Sequence, residues 1–334
     1  MSEPDLRSAR PPRVAAVGVF IVDVLGRPVE SLPRGQTSHL LDEIRMTAAG
    51  TAGGTSVDLA RLGAEVLAVG AIGEDLIGDF LLGALAREGI AGAHLVRKPG
   101  VQTSATILPI HPNGDRPAWH VRGANATLVL DDMPWPELAR CDALHLGGLT
   151  ALGAFDGEPA AAVLRHAREA GALTTADCLG VKHRDALSVT GQCLPYVDIF
   201  MPNEDEALAI TGESDAATAA QRLRELGAAC VILKRGPHGC LVADAQGQRL
   251  VPGFEVGVVE TTGCGDAFCA GVIVARCAGW SIDRAAALGN ASGALTARGL
   301  GSDAGARDLA EALRFLERAP IGDANDAAVA APRG

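Results

Sequence analysis

The chain has 334 residues, 48% of them hydrophobic and 21% charged, with a formal net charge of −11. That balance suits a globular protein with a sizeable buried core and excludes disorder along the whole length. The acidic sign, with no Lys/Arg block, argues against nucleic-acid and anionic-membrane surfaces, which need a concentrated positive field, so phosphate-bearing ligands have to be held by local dipoles or a metal.

The N-terminal MSEPDLRSARPPR is polar and Pro-rich, lacks the apolar stretch of a secretory signal, and reads as a tail over residues 1–12. Val14 to Val22 (VAAVGVFIV) is a continuous apolar run, as in a strand buried on both faces of a parallel sheet. It ends at Asp23, a carboxylate that at a strand's carboxyl end is either a ligand contact or a plain turn residue. About 25–47 and 101–121 carry short Thr, Val and Ile pieces, turn residues such as Asn113 and Gly114, and no helical period. They predict β-hairpin material inserted into an α/β body, placed to form a lid over a pocket.

Further strands are predicted at Glu65 to Gly70, Ala143 to Leu146, Leu173 to Ala176, Ile199 to Met201 and Val231 to Leu233. Helices are predicted at Ser56 to Leu62, Gly78 to Glu88, Glu158 to Ala170, Asp205 to Thr211 and Ala216 to Leu226. This alternation predicts one α/β domain over 13–320, with a mostly parallel sheet covered by helices. Residues 321–334, rich in Ala, Pro, Gly and Asp, read as a second tail. The eight cysteines stand singly, with no CxxC pair and no zinc spacing, and predict small buried hydrophobes in a reducing cytoplasm. No segment reaches the length of about 18 apolar residues that a membrane span requires.

The most informative stretch is VETTGCGDAFCAGVIV, residues 259–274. Small residues at a helix start leave backbone N–H groups unpaired, and with the helix dipole they form a seat for phosphate. Asp266 inside such a cradle is either a first-turn capping group or a base beside a transferring phosphoryl group. In chain order this stretch follows GTAGGTSVDLARLG (Gly50 to Gly63), GAIGEDLIGD with Gly73, Asp75 and Gly78, NEDE (Asn203 to Glu206) and LKRGPHG, and it precedes Asn290.

That series of motifs, spanning about residues 14–305, resembles the ribokinase-like carbohydrate kinases of the phosphofructokinase B type. The resemblance implies a three-layer α/β sandwich with a small β-sheet lid, ATP along the C-terminal half of the sheet and a sugar under the lid. It implies Asp266 as catalytic base and the Gly263, Cys264, Gly265 loop as anion hole. Asn203 and Glu206 match residues that organise Mg²⁺ near the triphosphate. Gly236 and Gly239 match a Gly-x-x-Gly nucleotide turn, with Lys234 beside it, and Asn290 matches an asparagine near the adenine ring. Asp23 and Gly50 match acceptor contacts, as do Arg122 and Asn125 in HVRGANA.

Three departures narrow the reading. Gly54 stands where relatives carry a sugar-binding asparagine, and the glycines of Leu146 to Gly148 replace a glutamate expected of ribose kinases. Glu260, with Thr262, stands where the family has an aspartate beside a monovalent-cation site, so K⁺ joins ATP and Mg²⁺ among the expected cofactors. The expected activity is ATP-dependent phosphorylation of a hydroxyl on a sugar or sugar-like acceptor, with a homodimer formed through the lid. A nucleoside acceptor, a non-catalytic nucleotide-binding regulator and thiol chemistry at Cys264 are the alternatives.

Overall fold

The first apolar run does not continue as one strand. In the computed structural model, which describes residues 4–180 and 185–318, β1 (Arg13–Gly18) ends at a glycine with φ 136°. A Cβ there would lie 2.1 Å from the Gly147 carbonyl oxygen, so only glycine fits. The chain then leaves the main sheet and resumes as β2 (Ile21–Arg27) in a second sheet, which puts Asp23 inside a lid strand and not at the carboxyl end of the first. Continuous hydrophobicity hid the break because both strands are buried.

In chain order there follow β3 (Glu43–Ala49), α1 (Thr51–Arg61), β4 (Glu65–Gly73), α2 (Leu76–Arg87), β5 (His94–Lys98), β6 (Ala105–Pro109), β7 (Trp119–Val121), α3 (Trp135–Leu138), β8 (Ala143–Leu149), α4 (Glu158–Glu169) and β9 (Leu173–Cys178). The rest is α5 (Ala186–Cys193), β10 (Ile199–Phe200), α6 (Glu204–Thr211), α7 (Ala216–Glu225), β11 (Cys230–Lys234), β12 (Cys240–Asp244), β13 (Gly247–Val251), α8 (Cys264–Cys277), α9 (Ile282–Thr296) and α10 (Leu309–Arg318).

Nine strands form one sheet in the order β13-β12-β11-β10-β9-β8-β1-β4-β5, all running in one direction except β12, which is antiparallel to β11 and β13. One apolar layer lies between it and α4 to α7, through residues such as Val17, Leu146, Phe200 and Leu164. A second lies under α1 and α8 to α10, through Val14, Leu59, Ile232, Val272 and Leu288. The expected helix-covered, mostly parallel sheet is therefore present. Segments rich in Ala and Gly, such as α9, were missed because their weak apolar contrast leaves little period to read.

The second sheet has the order β3-β2-β6-β7 and is the expected lid. One anchor is Asp75, whose carboxylate caps α2 at Gly78 N (2.8 Å) and takes the Thr103 amide (2.7 Å) just before β6. Residues 4–12, read as a tail, are docked onto the domain. Leu6 is 5% exposed, and the Trp280 indole donates to the Pro4 carbonyl at 2.8 Å. Composition could not show a single leucine finding a groove. The tail expected at 321–334 lies outside the described residues. Among the described residues no helix is long and apolar enough to cross a membrane.

Where β8 passes the start of α1, a Cβ on Gly147 would sit 2.5 Å from Ala52 N. Gly147→Ala is therefore expected to destabilise the fold by about 1–3 kcal/mol, read as a lowered urea midpoint with an unchanged slope.

Candidate active site

The carboxyl ends of the parallel strands, the lid and the start of α8 enclose a cavity of about 950 Å³, large enough for two small ligands end to end. At its centre α8 begins at Gly263 (φ 78°), with no side chain capping its first turn. The uncapped N–H groups of that turn therefore face the cavity. Gly263 is required here twice over: its φ is positive, and a Cβ would lie 2.5 Å from the Ser302 Cα.

Asp266, in the first turn of α8, is half-buried and lines the cavity. Its carboxyl lies well above the usual carboxylate range, first because of burial and then because of Asp177, while the Lys234 ammonium pulls it back. The carboxylate is seated against Gly54, where a Cβ would be 2.3 Å from Oδ2. Gly54 was expected to be an acceptor contact short of one polar group. It lies outside the cavity lining and instead leaves room for Asp266, so an asparagine there would displace the carboxylate.

Lys234, at the end of β11, reaches under the loop, with Nζ 4.0 Å from Asp177 Oδ2 and 3.1 Å from where a Gly265 Cβ would be. Burial opposes its charge, but Cys269, Asp177, Glu206 and Asp266 outweigh that and hold it above the usual lysine value. Asp177 was missed. It ends β9, accepts the Gly148 amide at 2.9 Å, and is pushed up to about 7 by burial. The rule that flagged Asp23, a carboxylate at the end of an apolar strand, would have found it.

Asn203 and Glu206 line the cavity as the two halves of a capping box on α6. Asn203 Oδ1 accepts Glu206 N at 2.7 Å, and Glu206 Oε2 accepts Asn203 N at 2.8 Å. Burial raises the Glu206 carboxyl, and Lys234 partly offsets this. One carboxylate thus serves twice, since Oε2 caps the helix while the group borders the cavity. Gly236 and Gly239 also line it with positive φ, and a Gly239 Cβ would lie 2.1 Å from the Val251 carbonyl oxygen. Asn290 borders the same end, but its Nδ2 donates to the Val251 and Pro252 carbonyls at 3.2 and 2.9 Å and fixes that turn.

Under the lid, Asp23 is pushed up to about 6 by burial, against the Thr106 hydroxyl and Arg116. Thr106 also bonds His120 Nδ1 at 3.0 Å. Gly50 (φ 86°), Arg122, His120 and Leu108 complete this end. Asn125, expected to be an acceptor contact, spends its amide on the Phe20 backbone instead (Oδ1 from N at 3.2 Å, Nδ2 to O at 2.9 Å) and so holds the break between β1 and β2. Glu260 and Thr262 lie below the α8 loop. Glu260 accepts Thr262 N at 2.5 Å and Gly301 N at 2.7 Å, and Thr262 Oγ1 is buried without a partner among the described residues. Cys264 lines the cavity, but burial pushes its thiol up to about 12, with Glu260 adding to the effect, so a nucleophilic thiolate is disfavoured.

Residues 11–308 match the pfkB family carbohydrate kinase description. The ribokinase of Haemophilus influenzae is 28% identical over 271 residues, 79% of this chain and 85% of that one. The 2-dehydro-3-deoxygluconokinase of Bacillus subtilis is 28% identical over 268 residues, 76% and 83% of the two chains. The structure of Arabidopsis thaliana ribokinase complexed with ribose and ATP superposes with a TM-score of 0.76 at 22% identity, covering 93% of this chain and 100% of that one.

Burial raises the thiols of all eight cysteines. Iodoacetamide at pH 8 is therefore expected to label none of them rapidly in the native protein and all of them after unfolding. Fast labelling of Cys264, read by peptide mass, would restore the thiol alternative.

Proposed function

Because the chain belongs to the pfkB family of carbohydrate kinases, we propose that it transfers the γ-phosphoryl group of ATP to a hydroxyl of a sugar or sugar-like acceptor, with Asp266 as the base. The observation that carries this reading is the Asp266 carboxylate placed beside the uncapped start of α8 in one cavity. The first-turn amides offer hydrogen bonds to the charge that develops on the transferring group, and the carboxylate takes the proton of the attacking hydroxyl. A base with raised proton affinity is a better acceptor than an ordinary aspartate, and the Lys234 ammonium favours its ionised form.

ATP lies toward Gly236, Gly239 and Asn290, and the acceptor lies under the lid against Asp23 and Gly50. Glu206 and Asn203, with Asp177, are hard oxygen donors bordering the cavity and suit Mg²⁺ held largely through water. When bound, the ion neutralises charge on the triphosphate. Arg122 lines the lid end with no ion pair among the described residues, which favours an acidic sugar over a nucleoside. Trp119, by contrast, is half exposed and does not line the cavity. A cytoplasmic setting suits eight unpaired thiols.

The lid also supports a homodimer. Met46, Val24, Ile107 and Trp119 stand in register across its four strands, and Met46, Ile107 and Trp119 are 43%, 56% and 50% exposed. A contiguous apolar row of this kind suits a second copy of the same sheet. Light scattering is expected to give twice the 34.1 kDa chain mass, and Ile107→Lys to give the monomer; a monomeric wild type at micromolar concentration would refute this.

Acceptor-dependent ADP release with Mg·ATP, over neutral sugars, sugar acids, sugar phosphates and nucleosides, tests the activity. Asp266→Asn is expected to lower kcat by about 10²–10⁴-fold. Gly54→Ala should cost about 10²-fold by displacing the base, with little change in melting temperature, because the crowded atom is the end of a side chain. The base acts deprotonated, so kcat/KM should fall as pH drops through its raised value. Asp23, about 6, grips a hydroxyl best when ionised, so acceptor KM should rise below about pH 6, an effect Asp23→Asn should abolish.

A further inference from the structure

Glu260 is a carboxylate 1% exposed, two residues before a loop built to receive phosphate. Left alone, its charge would weaken anion binding at that loop. Its two oxygens hold the loop from both sides. One accepts Thr262 N, next to Gly263, and the other accepts Gly301 N, whose neighbour Ser302 packs on Gly263. The geometry therefore needs the carboxylate and also needs a positive charge to offset it.

That charge comes from the lid. Arg116, in the connection between β6 and β7, places Nε 3.8 Å from Glu260 Oε2 and 3.4 Å from Thr261 Oγ1, its side chain 38% exposed against 0% for Glu260. Both fields reach the anion loop, since Glu260 raises and Arg116 lowers the proton affinity of Cys264. A monovalent cation suits this spot poorly as the charge partner. Both Glu260 oxygens already accept backbone N–H groups, and a guanidinium stands over Oε2. The unpartnered Thr262 Oγ1 would offer a single side-chain ligand.

We propose that Arg116 is a positioning residue that neutralises Glu260 from the lid, so that the α8 loop binds phosphate without a monovalent cation and its anion affinity depends on the lid being in place. This rests on the kinase reading, in which the ligand of the loop is the nucleotide triphosphate. Arg116 acts through Glu260 and the Thr262 and Gly301 amides, not on the reacting atoms.

The test is calorimetric titration of the full chain with a non-hydrolysable ATP analogue and Mg²⁺, in choline chloride and in KCl at equal ionic strength, for the wild type, Arg116→Met and Arg116→Lys, with thermal melts to confirm folding. Wild-type Kd is expected to agree within about twofold between the two salts. Arg116→Met is expected to bind about tenfold more weakly, about 1.4 kcal/mol, in choline and in K⁺ alike. Arg116→Lys should stay within about threefold of the wild type.

Arg116→Met binding like the wild type would overturn the proposal. So would a wild type that K⁺ strengthens more than about fivefold, or a loss of the same size in Arg116→Lys. Failure of the wild type to bind nucleotide in either salt would instead remove the kinase reading beneath it. The readout needs no acceptor, so an unidentified sugar cannot mask the result.

Discussion

Three carboxylates, the buried Asp177 and the half-buried Asp266 and Glu206, act on the ammonium of Lys234 under the first turn of α8. Desolvation raises the proton affinity of each acid and one lysine only partly offsets it, so Asp177 is pushed up to about 7 and Asp266 lies well above its usual range. On the proposed reaction, that excess of negative potential suits a base and a divalent cation. It would also repel a triphosphate if the helix start did not turn its unpaired amides toward the same space. The chemistry of the cavity follows from this opposition between acidic side chains and positive backbone.

Holding those charges in contact requires elements to approach more closely than side chains permit. Gly54 lets α1 close on Asp266, Gly147 lets β8 pass the start of α1, and Gly263 lets the α8 loop press on Ser302. Gly18 ends β1 so that the chain can leave the main sheet for the lid. The lid end of the cavity is thus a consequence of backbone packing, with Asp23 delivered from a lid strand to the cavity that Asp266 also lines. Asn125 secures the crossing by taking up both polar groups of Phe20.

Much of this was legible in the linear sequence. The alternation of apolar runs and helical periods implied the parallel sheet, and the Gly263 to Asp266 motif implied an anion cradle with an acid inside it, because both depend on neighbours along the chain. The β lid was legible as well, from turn residues and the lack of a helical period. The single strand expected over Val14 to Val22 was not one strand, since apolar continuity carries no record of which sheet a residue joins. Residues 4–12 looked like a tail because composition averages away one buried leucine.

The tertiary structure decided what each polar residue is free to do. Asn125 and Gly54 matched acceptor positions in sequence, yet one is bonded to backbone and the other gives space to a carboxylate. Arg116 and Asp177 carried no motif and became part of the site through contacts spanning many residues, Arg116 to Glu260 and Asp177 to Lys234. Local pattern by itself determined most elements and the uncapped helix start at Gly263, because hydrogen bonding and hydrophobic period act within a few residues. Charge balance and proton affinity were left to the fold, because they depend on distance and burial in three dimensions.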